Sequence, residues 1–214
     1  MEDRNKAYWE DRFSTEGKIW GEFPSNSAIY ALKLFKKYDI RNILIPGSGY
    51  GRHTKLFSDN HYNVVGVEIS EIAVEMAKSF NPQTTFINCS VLEMDTVDDK
   101  FDAIYCFNLL HLFLKEDRQK LIKQCYNRLN SKGLVFFTAF SEGEPSYGRG
   151  KELESHTFES KPGRPTHYFL EEDLINHFNE FKIIKTDIIK EQENHGERGK
   201  HTHSLRYLFG QRVN

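Results

Sequence analysis

ILIPGSGYGRHT (residues 43–54) is a short apolar run that breaks into glycines at positions 47, 49 and 51. An apolar run bounded by such a turn reads as a buried strand, and glycines directly behind it let a ligand approach the backbone. Ligands that use such a turn are a dinucleotide pyrophosphate, a nucleoside triphosphate, or a molecule with no phosphate. The spacing G-x-G-x-G departs from the dinucleotide fingerprint G-x-G-x-x-G, and no Lys-Ser/Thr pair follows, so a triphosphate loop is not expected. Glu68 closes the next apolar run, NVVGVE, seventeen residues beyond Gly51. An acid at the end of the second strand is where ribose hydroxyls are held in an open α/β sheet. A bare strand-to-helix turn would explain the glycines but not the acid. A ribose-bearing ligand explains both.

Outward from this stretch, strand-like runs recur at 63–68, 84–88, 101–107 and 134–140, and helical patterns lie between them. Residues 25–37 begin at a Ser25 cap, with Ile29, Leu32 and Phe35 on one stripe. Residues 70–80 begin with Ser70 as cap and Glu71 in the first turn, and residues 116–129 carry Leu121, Ile122, Cys125 and Leu129 before NSKG ends the helix. Nearly continuous apolar strands alternating with helices predict a parallel sheet covered on both faces. Two alternating strands close the chain, FKIIKTDIIKE and HTHSLRYLFGQR, joined by the charged segment QENHGERGK. They predict a terminal hairpin. The expected fold is a doubly wound, mostly parallel seven-stranded sheet with one antiparallel strand. One domain spans 1–214, with residues 1–40 as an N-terminal helical cap. Residues 141–168, rich in Gly, Pro, Ser and charge, read as a long loop and a candidate substrate lid.

A chain of 214 residues with 38% hydrophobic and 28% charged residues supports one sizeable core. Its formal net charge of −2 supplies no field that would draw it to nucleic acid or an anionic membrane. The charged opening MEDRNKAYWEDRF lacks the apolar region of a secretory leader, and no run is long and apolar enough to span a membrane. Cys89, Cys106 and Cys125 form no CxxC pair and read as buried thiols in a reducing, cytoplasmic setting.

PGSGYG followed by VVGVEIS resembles the class I S-adenosylmethionine-dependent methyltransferases. Within them the chain is most similar to the small-molecule branch of thiopurine, thiol/halide and tellurite-resistance methyltransferases. The opening segment YWEDRF…KIWGEFPS, the fourth-strand stretch KFDAIYCFNLLHLF, LNSKGLVFFTAFS and YFLEEDLINHF carry that likeness over nearly the whole chain. The resemblance implies S-adenosylmethionine as cofactor, with Gly47, Gly49 and Gly51 beneath its methionyl end and loop N–H groups meeting its carboxylate. It implies Glu68 on the ribose and Ile69 on the adenine. Ser90 and Val91 follow the third strand, Phe107 ends the fourth, and Trp20 matches the family's tryptophan near the cofactor. Two positions depart from the family pattern. Ile45 replaces the usual first-strand acid, and Ser90 replaces an acid that reads the adenine amino group.

The resemblance implies methyl transfer to a small soft nucleophile, such as a thiol or a chalcogen oxyanion, and FNLL after the fourth strand, where no Asp-Pro-Pro-Tyr type motif stands, agrees with it. Protein or RNA methylation, a non-catalytic S-adenosylmethionine-binding relative and an NAD-type oxidoreductase are the alternatives. Candidate catalytic residues are Asn108 and His111, after the fourth strand, and His195, His201 and His203 of the hairpin. The hairpin's first strand should run parallel to the sheet, which would carry Glu193, His195, Arg198 and His201 to the cofactor side, with His203 starting the returning strand nearby. Tyr50 reads as a loop residue that faces solvent, and among Trp9, Trp20 and Phe23 only Trp20 is expected to roof the cofactor. No metal site is expected, since no cysteine accompanies the histidines and methyl transfer needs no metal.

Overall fold

The computed structural model describes residues 2–194 and 199–213. In chain order the elements are α1 (Glu2–Glu16), α2 (Asn26–Phe35), β1 (Asn42–Pro46), α3 (Arg52–Ser58), β2 (Asn63–Glu68), α4 (Glu71–Phe80) and β3 (Thr85–Asn88). Next come β4 (Phe101–Phe107), α5 (Lys115–Arg128), β5 (Leu129–Phe140), β6 (Lys151–Glu154), β7 (Thr157–Lys161) and β8 (Arg164–His167). The chain closes with α6 (Glu171–His177), β9 (Phe181–Asn194) and β10 (Lys200–Arg212).

The main sheet has the order β3-β2-β1-β4-β5-β10-β9. Strands β1 to β5 pair in parallel. Strand β10 is antiparallel to both β5 and β9, so β9 runs in the same sense as the parallel five. The winding reverses between β1 and β4, and the carboxyl ends beside that reversal form the crevice where ligands bind in open α/β sheets.

The apolar strands are continuous because both faces are covered. Leu44, Ile104, Val135, Phe137 and Leu208 point to one layer, with Leu121, Ile122 and Cys125 of α5 and Leu174 of α6. Ile43, Ile45, Ala103, Phe136 and Tyr207 point to the other, with Ala28, Ala31, Leu32 and Phe35 of α2 and Phe57 of α3. The missing acid at Ile45 is thus a residue of the second layer. The buried face of α2 includes its two alanines and not Ile29, which is 37% exposed. Ala28 and Ala31 let the helix sit close to the sheet, and that contact outweighs the larger side chain one position away.

The caps read from the sequence are present. Ser25 accepts from the Ala28 N–H, and Ser70 from the Ala73 N–H. The α4 start has a second cap from α1. Glu10 accepts from the Glu71 N–H at 2.7 Å, the Ile72 N–H at 3.2 Å and the Ser70 hydroxyl at 2.8 Å.

Two stretches differ from the sequence reading. NSKG does not separate a helix from a strand at 134. Helix α5 stops at Arg128 and β5 begins at Leu129, with Lys132 at φ 61°. Residues 151–167, expected as loop, form a separate antiparallel sheet in the order β6-β7-β8. Its strands are four or five residues long and mostly polar, and Thr157 and His167 are its buried side chains. Cys106 and Cys125 are buried and Cys89 is half-buried; all three are free thiols. No helix among the described residues is long and apolar enough to cross a membrane.

Candidate active site

A cavity of about 280 Å³ opens at the carboxyl ends of β1, β2 and β4. Gly47 (φ 65°) and Gly49 (φ 54°) line it, in a left-handed conformation that a Cβ would strain. Gly51 does not. It precedes α3 at φ 91°, and a Cβ there would lie 3.1 Å from Thr54 Oγ1 and 3.3 Å from Ala77 Cβ. The third glycine therefore seats α3 against α4. Gly51→Ala is expected to cost about 1–2 kcal/mol, a drop of about 2–8 °C in Tm at this chain length, read by thermal unfolding.

Three loop amides expected to face a ligand are engaged within the protein. Ser48 N–H donates to the Val67 carbonyl, Gly51 N–H to the Ser48 carbonyl, and Gly49 N–H to Glu68 Oε2 at 2.9 Å. Glu68, 6% exposed, also accepts from the Ser70 N–H through Oε1 at 3.0 Å. Each carboxylate oxygen is thus anchored by a backbone N–H, and the side chain lines the cavity. Burial raises its pKa, and the backbone N–H groups of Ser70, Gly49 and Ile69 oppose that.

Trp20, Ile69, Ser90, Val91 and Phe107 also line the cavity. Ser90 turns its hydroxyl to the Leu92 N–H at 3.2 Å. The roof is broader than Trp20: Trp9 and Phe13 line it as well, whereas Phe23 is 86% exposed. Tyr50 is buried, not solvent-facing. Its ring stacks on Trp20 and its hydroxyl donates to the Gly21 carbonyl at 2.7 Å. Burial pushes its pKa up to about 12.

Sequence reading missed Arg52. Its guanidinium forms an ion pair with Glu193 of β9, at 7% and 6% exposure. It also donates to the Trp20 carbonyl at 3.2 Å and lies 5.4 Å from the Phe107 ring centroid. Both charges line the cavity. The legible signal was Glu191 and Glu193, two acids on the same side of an otherwise alternating strand. Glu191 accepts from the Asn26 and Ser27 N–H groups at 2.8 and 2.9 Å, and so caps α2.

Asn108, His111, His203 and Phe140 line the same cavity. Asn108 adopts φ 49°, with its amide oxygen accepting from the Thr138 hydroxyl at 3.0 Å. His111 is buried in the short helical turn that follows β4. It is 3% exposed, stacked on Phe140 at 4.0 Å, and its Nδ1 has no hydrogen-bond partner among the described residues. His203 stacks near Phe140 at 5.1 Å, and its Nδ1 lies 2.7 Å from Glu144 Oε1. Glu144 Oε2 in turn accepts from the Ser204 N–H at 2.8 Å. His201 is exposed and lies outside the cavity lining. His195 and Arg198 lie outside the described residues. Among the described residues, no group of three or more His, Cys, Asp or Glu is placed to hold a metal.

Burial, with lesser contributions from His203 and His167, lowers the His111 pKa from 6.5 to about 3. Below pH 6.5 the unfolded chain takes up a proton on this imidazole that the folded chain refuses until about pH 3. Acid therefore favours unfolding across that window. His53 and His167, also shifted down by burial, act in the same sense. The urea midpoint should fall steadily from pH 7 to pH 4, and His111→Phe should flatten part of that slope.

Residues 43–133 match a family model described as a methyltransferase domain. An uncharacterized methyltransferase of Oceanobacillus iheyensis is 28% identical over 166 residues, 72% of this chain and 73% of its own. The chain spans about half the length of other curated relatives it matches, 56% and 47% in two cases. An S-adenosylmethionine-dependent methyltransferase from Anabaena variabilis superposes with a TM-score of 0.76 at 18% identity, covering 99% of this chain and 94% of its own. The 1,6-didemethyltoxoflavin-N1-methyltransferase of Burkholderia thailandensis, solved with 1,6-didemethyltoxoflavin and S-adenosylhomocysteine, gives 0.72 at 16% identity over 98% and 88%. With the glycine loop, the buried Glu68 and the reversed winding at β1, these matches show that residues 43–133 resemble a methyltransferase domain and that the chain shares the fold of S-adenosylmethionine-dependent methyltransferases.

Proposed function

We propose that this chain transfers a methyl group from S-adenosylmethionine to a small molecule. The observation that carries the reading is Glu68, a buried carboxylate beyond the glycine loop that lines the cavity with each oxygen anchored by a backbone N–H. Two neighbouring ribose hydroxyls match its two acceptor oxygens. Ile69 and Val91 supply apolar surface for the adenine ring. Arg52 and Glu193 present opposite charges to the zwitterionic end, so Glu193 supplies the negative charge that Ile45 lacks. Gly47 and Gly49 keep side chains out of the approach, with Trp20 above. Bound there, S-adenosylmethionine supplies a methyl group on a sulfonium that is already a good leaving group. What remains for the protein is alignment and exclusion of water.

For the acceptor we favour a soft nucleophile, a thiol or a chalcogen oxyanion. The resemblance noted above and the apolar wall of Leu109, Leu112, Phe113 and Phe140 support it. Parallel rings of His111 and Phe140 also suit a planar acceptor such as an N-heterocycle, the kind the Burkholderia protein binds. The net charge of −2 disfavours a nucleic-acid substrate. In this reading residues 141–168 cover the acceptor end. Arg164 and Thr166 line the cavity, and the Arg164 guanidinium lies 4.0 Å over the Tyr8 ring of α1.

Calorimetric titration with S-adenosylhomocysteine and, separately, with NAD tests the proposal. S-Adenosylhomocysteine is expected to bind and NAD is not; the reverse outcome, or no binding of the first, overturns it.

A further inference from the structure

We infer that His203, oriented by Glu144, takes a proton from the acceptor molecule, so that the acceptor atom arrives protonated (X–H) and not as a ready-made oxyanion. This rests on the proposed methyl transfer and narrows its substrate class. The geometry has three parts. His203 lies in the cavity wall at the acceptor end, beside Phe140. Glu144 Oε1 at 2.7 Å from Nδ1 fixes the tautomer that carries its proton on Nδ1, which makes Nε2 the basic nitrogen. Glu144 is itself buried and held by the Ser204 N–H, so the carboxylate does not swing away.

The charges around the ring agree. Burial works against a charged imidazole, yet the Glu144 hydrogen bond and the charges of Glu144, Glu193 and Glu191 outweigh it and raise the pKa above 6.5. Across Phe140 stands His111, which burial keeps neutral and whose Nδ1 is buried without a partner among the described residues. A buried unpartnered nitrogen in a cavity wall calls for a ligand hydrogen bond, and His111 is assigned to position the acceptor. In the step, the X–H proton passes to His203 Nε2 as X bonds to the methyl carbon, and the carbon–sulfur electron pair stays with sulfur. The proton then leaves to solvent, and nothing is oxidised or reduced.

The test uses wild type, His203→Gln and Glu144→Gln, each first titrated with S-adenosylhomocysteine. Methyl transfer is then measured with protonated acceptors (alkyl thiols, phenols, N–H heterocycles) and pre-ionised ones (nitrothiophenolate, selenite). Independently of turnover, the His203 ring is titrated by NMR. For protonated acceptors His203→Gln should slow transfer by about 100-fold or more. Transfer to pre-ionised acceptors should stay within threefold and S-adenosylhomocysteine affinity within twofold. In Glu144→Gln the ring should titrate lower and the acid limb of the pH–rate profile should move with it. Equal losses with both acceptor classes, no loss, transfer to oxyanions alone, no transfer to any panel member, or a ring that titrates alike with and without Glu144 would overturn the assignment. Failure of the wild type to bind S-adenosylhomocysteine would instead overturn the cofactor reading beneath it.

Discussion

Replacing Arg52 with alanine is expected to destabilise the fold by about 3–5 kcal/mol, because it leaves the Glu193 carboxylate buried without its counter-charge. Few surface changes approach that magnitude. The guanidinium also donates to the Trp20 carbonyl and packs between the Trp20 and Phe107 rings, so packing is lost with the charge. Removing both charges together, as Arg52→Met with Glu193→Leu, should restore most of the stability, since an apolar pair of similar volume strands no ion. The same double variant should bind S-adenosylhomocysteine weakly, because no opposed charges remain for the amino-acid end. Urea unfolding measures the first effect and calorimetry the second. An Arg52→Ala protein within 1 kcal/mol of wild type would show that the pair is solvated in solution.

The second large effect concerns Glu68. Glu68→Ala should weaken S-adenosylhomocysteine binding by about 1.5–3 kcal/mol, roughly 10- to 150-fold, through loss of a charged acceptor for two hydroxyls. It also deprives the Gly49 and Ser70 N–H groups of their partner, so stability should fall as well. Glu68→Gln is not a mild substitute. One oxygen becomes an NH₂ donor that faces a backbone N–H, so one of the two amide bonds is still lost. Circular dichroism establishes that each variant is folded before the titration. Affinity unchanged within twofold would remove Glu68 from the site.

Much of this was legible because it is written locally. Strands β1, β2 and β4 show their burial as uninterrupted apolar letters, and Ser25 and Ser70 mark helix starts by residue type. The glycine loop and Glu68 belong to one strand–helix–strand unit. What escaped depends on partners distant in sequence. Arg52 reads as a charged residue in the first turn of a helix, and its partner Glu193 is 141 residues away. His111 is a candidate by its place after the fourth strand, but its burial depends on Phe140 of β5, which stacks on it. Strands β6, β7 and β8 carry polar letters, because their sheet buries little, and Pro165 and Gly163 imitate loop composition. Ile29 shares the helical period of Leu32 and Phe35, yet Ala28 and Ala31 take the buried face because small side chains allow the closer approach.

The doubled cap on α4 links two parts of the molecule by reciprocity. Ser70 is gripped from below by Glu68, through its N–H, and from outside by Glu10 of α1, through its hydroxyl. Any ligand that tightens the Glu68 side of that turn lends the same free energy to the docking of α1 that a docked α1 lends to the ligand. Amide exchange along residues 5–16 therefore reports occupancy of the cavity that Trp9 and Phe13 of this helix roof, and replacing Glu10 alone with alanine would weaken the ligand's hold without removing a cavity-lining side chain.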